Sequence, residues 1–264
     1  MGMDLSQELS FAGKTAVITG STRGIGFEIA KTLYFRGADI VIVGRNQDKV
    51  DLTVQRLADK KGVGRVEGFS LDISDSKKIP EFIESVVSRF GSIDILVNNA
   101  GMDYNESFLE IDEESIDNVF STNVKGLLLL TQSTSKVMIE KKTKGNIINI
   151  ASIAGNEIIP DHLIYGMTKA AVIYLTKGIA VELGKYDIRV NAVAPGSIST
   201  QMTEEKYKDS TRLQELQNRL PLSRRGDVGE IAATVLYLAS ELSSYVTGQC
   251  IVVDGGWLVS PHKY

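Results

Sequence analysis

Seven short runs rich in β-branched and apolar residues recur along the chain, at 15–19, 39–43, 66–71, 95–98, 146–151, 190–194 and 250–253. Several are apolar at consecutive positions, the pattern of strands covered on both faces. Between them lie segments with apolar residues at helical spacing, at 25–36, 47–60, 77–89, 113–140, 165–184 and 228–239. That alternation leaves few solutions, because parallel strands need crossovers and helical crossovers are right-handed. The expected fold class is therefore α/β, a doubly wound parallel sheet. With no linker, repeat or low-complexity block, the 264 residues read as a single domain over 1–264, which includes an N-terminal extension at 1–12. The one long polar insertion, 200–225 within a loop segment 197–225, is expected to shape a substrate site, since long loops in compact domains are often lids or binding loops.

Composition narrows the partners. Apolar residues make up 43% and charged residues 23%, as in ordinary globular proteins, and the net charge of -4 disfavours nucleic acid or an anionic membrane. No run of eighteen apolar residues occurs, and the polar, acidic start M-G-M-D-L-S-Q-E-L-S is unlike a signal peptide. A cytoplasmic protein is expected. The single Cys250 forbids an internal disulfide and reads as a buried structural thiol. Two distant histidines, His162 and His262, give no zinc-ligand spacing, so no metal is expected.

The first strand runs straight into T-G-S-T-R-G-I-G, with Gly20, Ser21, Thr22, Arg23, Gly24, Ile25 and Gly26 before a helix. Glycines there permit a tight turn and let backbone N–H groups approach a pyrophosphate at the helix N-terminus. The spacing is G-x-x-x-G-x-G; at the first turn of an alternating chain it favours a dinucleotide and a Rossmann-type sheet. An acid at the end of the second strand would hold a ribose 2′-hydroxyl, whereas an arginine accommodates a 2′-phosphate. Here the strand ends V-I-V-G-R-N, placing Gly44 where the acid would stand, followed by Arg45 and Asn46. With Arg23 as a second guanidinium, the expected cofactor is NADP(H) rather than NAD(H).

Further motifs follow in order: Asp72-Ile73 after the third strand, N-N-A-G at 98–101, S-T-N-V at 121–124, Ser152 after the fifth strand, Y-G-M-T-K at 165–169 and P-G-S-I-S-T at 195–200. From 14 to 257 the chain resembles the short-chain dehydrogenase/reductase family. The resemblance implies that Tyr165 is the general acid–base residue and that Lys169, one helical turn on, holds the nicotinamide ribose and favours the phenolate. It implies that Ser152 orients the substrate oxygen and that Asn123 holds a water linking Lys169 to solvent. Asp72 and Ile73 would face the adenine, Asn99, Ala100 and Gly101 would line the cofactor, and Pro195, Gly196, Ile198 and Thr200 would bind its carboxamide. Each residue also has a plainer reading. Ser152 could cap a turn, Asn123 could bend its helix, and Asp72 could start the next helix.

The implied activity is hydride transfer between NADP(H) and a small-molecule ketone or secondary alcohol, foremost carbonyl reduction of 3-oxoacyl type. The similarity to 3-oxoacyl-(acyl-carrier-protein) reductases stands beside sugar, polyol or hydroxysteroid dehydrogenases, and more remotely a non-catalytic dinucleotide-binding protein. Val181 and Glu182 give little positive surface for a carrier protein, although Lys136, Lys141, Lys142 and Lys144 are basic. Substrate selection is expected in loops 102–108, 153–163 and 197–225. There Met102, Ile153, Ile158, Ile159, Leu163 and Met202 are apolar, and Asp103, Asn156, Glu157, Asp161 and His162 are polar. A homotetramer, with helices around Asn123 and Tyr165 in one interface and the last helix and strand in the other, is the family's usual assembly.

Overall fold

The computed structural model describes residues 5–200, 203 and 210–260. Seven strands form one parallel sheet: β1 (Thr15–Thr19), β2 (Asp39–Gly44), β3 (Val66–Ser70), β4 (Ile95–Asn98), β5 (Asn146–Ile150), β6 (Arg189–Pro195) and β7 (Cys250–Val253). Their order across the sheet is β3-β2-β1-β4-β5-β6-β7. The chain leaves β1 in one direction and returns at β4 on its other side, so the loops diverge and open a crevice at the carboxyl ends of those two strands.

The helices are α1 (Leu5–Glu8), α2 (Gly24–Tyr34), α3 (Gln47–Ala58), α4 (Ile79–Phe90), α5 (Glu113–Phe120), α6 (Leu127–Glu140), α7 (Leu163–Leu183), α8 (Ser210–Arg219) and α9 (Val228–Ala239). Alternate strand residues feed two cores. Ile18, Ile40, Ile42 and Ile148 pack with Ile29 and Leu33 of α2 and Ile231 and Val235 of α9 on one face. Val17, Val41, Leu96 and Ile147 meet Phe82 and Val86 of α4 and Leu130 and Met138 of α6 on the other. Burial on both faces is why these strands read as unbroken apolar runs. Cys250 is free and half-buried at the edge strand β7, rather than deep in the core.

Two departures from the sequence reading bear on the site. The segment expected as one helix over 113–140 is broken by a π-type turn, Ser121–Gly126, between α5 and α6. Widened turns of this kind occur mainly at functional sites. Gly126 packs so close to β3's following loop that a Cβ would lie 2.4 Å from Ile73 O. The polar insertion contains α8, which the sequence reading left without structure. Its signal is Leu213, Leu216 and Leu220 at helical spacing, with Leu216 and Leu220 buried.

Candidate active site

A cavity of about 410 Å³ opens at the crevice and gathers residues from every motif of the sequence. Its floor is the glycine turn. Gly20 and Gly24 have φ of +63° and +56°, conformations that favour glycine. A Cβ on Gly20 would lie 2.9 Å from Ala100 Cα, and one on Gly26 would lie 2.4 Å from Asn99 Nδ2 and 2.6 Å from Gly20 O. The turn is locked to the 98–101 segment. Thr19 Oγ1 accepts from the N–H groups of Asn99 and Ala100, both at 3.0 Å, while Asn99 Nδ2 donates to Thr19 O at 2.9 Å and Gly20 O at 3.1 Å. Among the described residues no side chain caps the start of α2, so the N–H groups of its first turn are left to donate to an acceptor at the cavity.

Gly26→Ala is expected to break the Asn99–Gly20 link and to destabilise the protein by about 1–3 kcal/mol, the usual range for forcing an atom into a packed site. Thermal unfolding measures this, and the rise in Tm on adding NADPH should shrink with it. An unchanged Tm and an unchanged NADPH response would contradict the packing seen here.

Thr22, Arg23, Gly24, Ile25, Arg45, Asp72, Ile73, Asn99, Ala100, Gly101, Pro195, Gly196, Ile198 and Thr200 line the cavity. Two expected cofactor residues do not. The Ser21 side chain is fully buried, donating to Ile18 O at 2.7 Å and accepting from Val43 N–H at 3.0 Å, which ties β1 to β2. The Asn46 side chain accepts from Lys49 N–H at 2.9 Å and caps α3. Asp72 lines the cavity, and its Oδ1 accepts from Ser74 N–H and Oγ, while Asp75 and Lys78 stand at the starts of the helical turns that follow. A Cβ on Gly44 would lie 2.7 Å from Thr22 Cγ2, leaving little room there for an acid. Arg23 and Arg45 are exposed, and neither forms an ion pair among the described residues.

At the far end of the cavity, Ser152, Tyr165 and Lys169 converge. Ser152 starts a short 3-10 turn, its Oγ accepting from Ala154 N–H at 3.1 Å. Lys169 is buried with Nζ donating to Ile150 O at 2.8 Å and lying 5.4 Å from the Tyr165 ring centroid. Burial pushes the Tyr165 phenol up to about 12, helped by the charge of Asp103 and opposed by a hydrogen bond from Ser152. Burial pushes Lys169 down to about 8, partly offset by Asp103. The expected lowering of the phenol by Lys169 does not appear: burial sets the direction upward, and Tyr165 holds its proton at neutral pH.

Asn123 lies in the π-type turn beneath the wall. Its Oδ1 accepts from Met102 N–H and its Nδ2 donates to Met102 O, both at 2.8 Å, and to Thr168 Oγ1 at 3.0 Å. Both Nδ2 hydrogens are engaged, so the side chain braces the 101–103 segment against α7.

Residues 20–258 match a family model described as enoyl-(acyl carrier protein) reductase, a short-chain dehydrogenase model. The chain belongs to the short-chain dehydrogenase/reductase family. It is 41% identical over 250 residues to a 3-oxoacyl-(acyl-carrier-protein) reductase of Thermotoga maritima, covering 94% of this chain and 98% of that one. It is 35% identical to an L-xylulose reductase of Bos taurus, covering 96% and 100%. Among solved structures it resembles a gluconate 5-dehydrogenase of Burkholderia cenocepacia in complex with NADP and tartrate, at 32% identity, TM-score 0.92, and 98% and 100% coverage.

In this short-chain dehydrogenase/reductase a clasp that the sequence does not announce links three segments distant along the chain. Glu157 accepts from Arg219 at 2.6 Å and from Trp257 Nε1 at 2.5 Å, and the Arg219 guanidinium lies 3.7 Å over the Trp257 ring. The clasp joins the loop after β5, the end of α8 and the turn after β7. Met102 lines the cavity, whereas Ile153 is buried and Ile158 and Leu163 are exposed. Met202 and His262 lie outside the described residues. Thr203 also lines the cavity, without a motif to mark it, and Leu71 and Thr122 do so beside Asp72 and Asn123.

Proposed function

We propose that the chain is an NADP(H)-dependent oxidoreductase that reduces a ketone to a secondary alcohol. The observation that carries this reading is the convergence of Ser152, a protonated Tyr165 and buried Lys169 in a cavity that also holds a glycine cradle and two exposed arginines without an ion pair among the described residues. The cradle fits a dinucleotide: Gly20 and Gly24 hold left-handed turn conformations, and among the described residues no side chain caps α2, which leaves its first N–H groups to donate to a pyrophosphate. Arg23 and Arg45 would hold the 2′-phosphate, Asp72 and Ile73 the adenine end, and Gly101, Pro195, Gly196, Ile198 and Thr200 the nicotinamide end. The bound cofactor supplies the hydride. Tyr165 gives its proton to the substrate oxygen, which Ser152 orients, and Lys169 offsets the negative charge left on the phenolate.

The direction of the pKa shifts gives a pH dependence. Tyr165 keeps its proton until about 12, but Lys169 loses its charge as pH rises through about 8. The reductive kcat should therefore hold at neutral pH and fall above about 8. A pH profile that rises across that range would contradict the role given to Lys169.

The substrate is a small carbonyl compound. A 3-oxoacyl thioester is favoured by the likeness to the Thermotoga maritima reductase. A sugar ketone is favoured by Asp103 in the cavity wall and by the likeness to the L-xylulose reductase and gluconate 5-dehydrogenase. Offering NADPH with an acetoacetyl thioester and with sugar ketones separates the two; turnover of neither would remove the reductase reading. A homotetramer belongs to the same proposal, supported by Met167, Tyr174 and Val181, which leave an exposed apolar stripe on α7 at seven-residue spacing. So does a cytoplasmic location, where reduced dinucleotide is available; among the described residues no helix is long and apolar enough to cross a membrane.

A further inference from the structure

One wall of the cavity carries a hydrogen-bonded pair that proton transfer does not require. Asp103 lines the cavity with Ser152 and Tyr165. His162 Nδ1 lies 3.0 Å from Asp103 Oδ1, and the His162 ring stands edge-on to Tyr165 with 6.3 Å between centroids. The carboxylate is held in place from three directions. Asn123 grips the Met102 peptide by both its N–H and its carbonyl. Glu106 N–H donates to Asp161 O at 2.9 Å, tying this loop to the segment that carries His162. His162 engages one carboxylate oxygen. Asp103 Oδ2 and His162 Nε2 have no hydrogen-bond partner among the described residues. The charge of Asp103 is felt by both Tyr165 and Lys169, which places it within electrostatic reach of the proton donor.

A carboxylate accepts hydrogen bonds and donates none. It therefore welcomes a hydroxyl and repels another carboxylate, which is discrimination by attraction and repulsion together. We infer that Asp103, oriented by His162, determines specificity: it accepts a hydrogen bond from a hydroxyl of a neutral polyhydroxylated ketone and disfavours ketones that carry a carboxylate. The inference rests on the carbonyl-reductase reading and narrows its sugar-ketone class. His162 is a positioning residue here, since it acts by fixing the carboxylate.

The test compares kcat/KM of the full-length enzyme with NADPH on L-xylulose, on a ketogluconate and on an acetoacetyl thioester. Wild type should favour L-xylulose over the ketogluconate by ~10-fold or more, the worth of one charge-assisted hydrogen bond. Asp103→Asn should lower that ratio ~10–100-fold, mainly through KM, because the carboxylate's repulsion is lost with its charge. His162→Phe should move the ratio the same way, and His162→Asn, which retains a donor, should move it less. Any effect of Asp103 on Tyr165 and Lys169 cancels in a ratio of two substrates. A ratio unchanged in Asp103→Asn, or a wild type that prefers the ketogluconate, overturns the inference and leaves the reductase reading standing. A wild type that turns over none of the three with either nicotinamide overturns the reading on which it rests.

Discussion

Tyr165→Phe is expected to lower kcat by ~10³-fold or more, within the range that positioned general acids contribute, while NADPH still binds. The substitution removes one oxygen and leaves the ring that stands near His162 and Lys169. Ser152 remains, but an alcohol gives up its proton far less readily than a phenol, so it can orient the substrate oxygen without replacing the acid. Lys169 stays anchored on Ile150 O, so the cavity keeps its shape. Stopped-flow binding of NADPH and steady-state turnover separate the two effects. Turnover retained at near wild-type rate would remove Tyr165 from its role, and lost NADPH binding would show that the phenol is structural.

Arg45→Asp is expected to lower kcat/KM for NADPH by ~100-fold with little change for NADH, the loss of a charge-assisted phosphate contact plus like-charge repulsion. The geometry makes the position decisive. Gly44 has little room for a side chain beside Thr22, so Arg45 is the first residue after β2 that can reach a 2′-substituent. Arg45 is exposed and without an ion pair among the described residues, so its charge is available and its replacement should not unsettle the fold. An equal fall with both cofactors would mean that Arg45 does not read the 2′-phosphate.

The sheet was legible in the sequence because strands buried on both faces leave β-branched runs; β1 and β4, buried throughout, begin and end where those runs do. The π-type turn at Ser121–Gly126 was not legible, since one widened turn leaves the apolar content of 113–140 intact while shifting its phase. Helix α8 was passed over because only Leu213, Leu216 and Leu220 mark a face in an otherwise polar stretch. In the site, Tyr165 and Lys169 were legible as a pair from their i,i+4 spacing. Their proton affinities were not, because these follow from burial, and burial follows from strands and loops distant in sequence. Ser21 and Asn46 show the same limit: the motif places the backbone, but packing against Val43 and the start of α3 decides where each side chain goes. Asp103 and His162 meet only because loops after β4 and β5 fold over one cleft.

The central claim is that hydride passes between a nicotinamide and a ketone at this site. The direct measurement supplies wild-type protein with NADPH deuterated on the transferred face and follows the alcohol product by mass spectrometry. A product gaining deuterium on its carbinol carbon, in step with NADPH consumed, is the predicted result. Alcohol formed without the label, or NADPH consumed without alcohol, would contradict it.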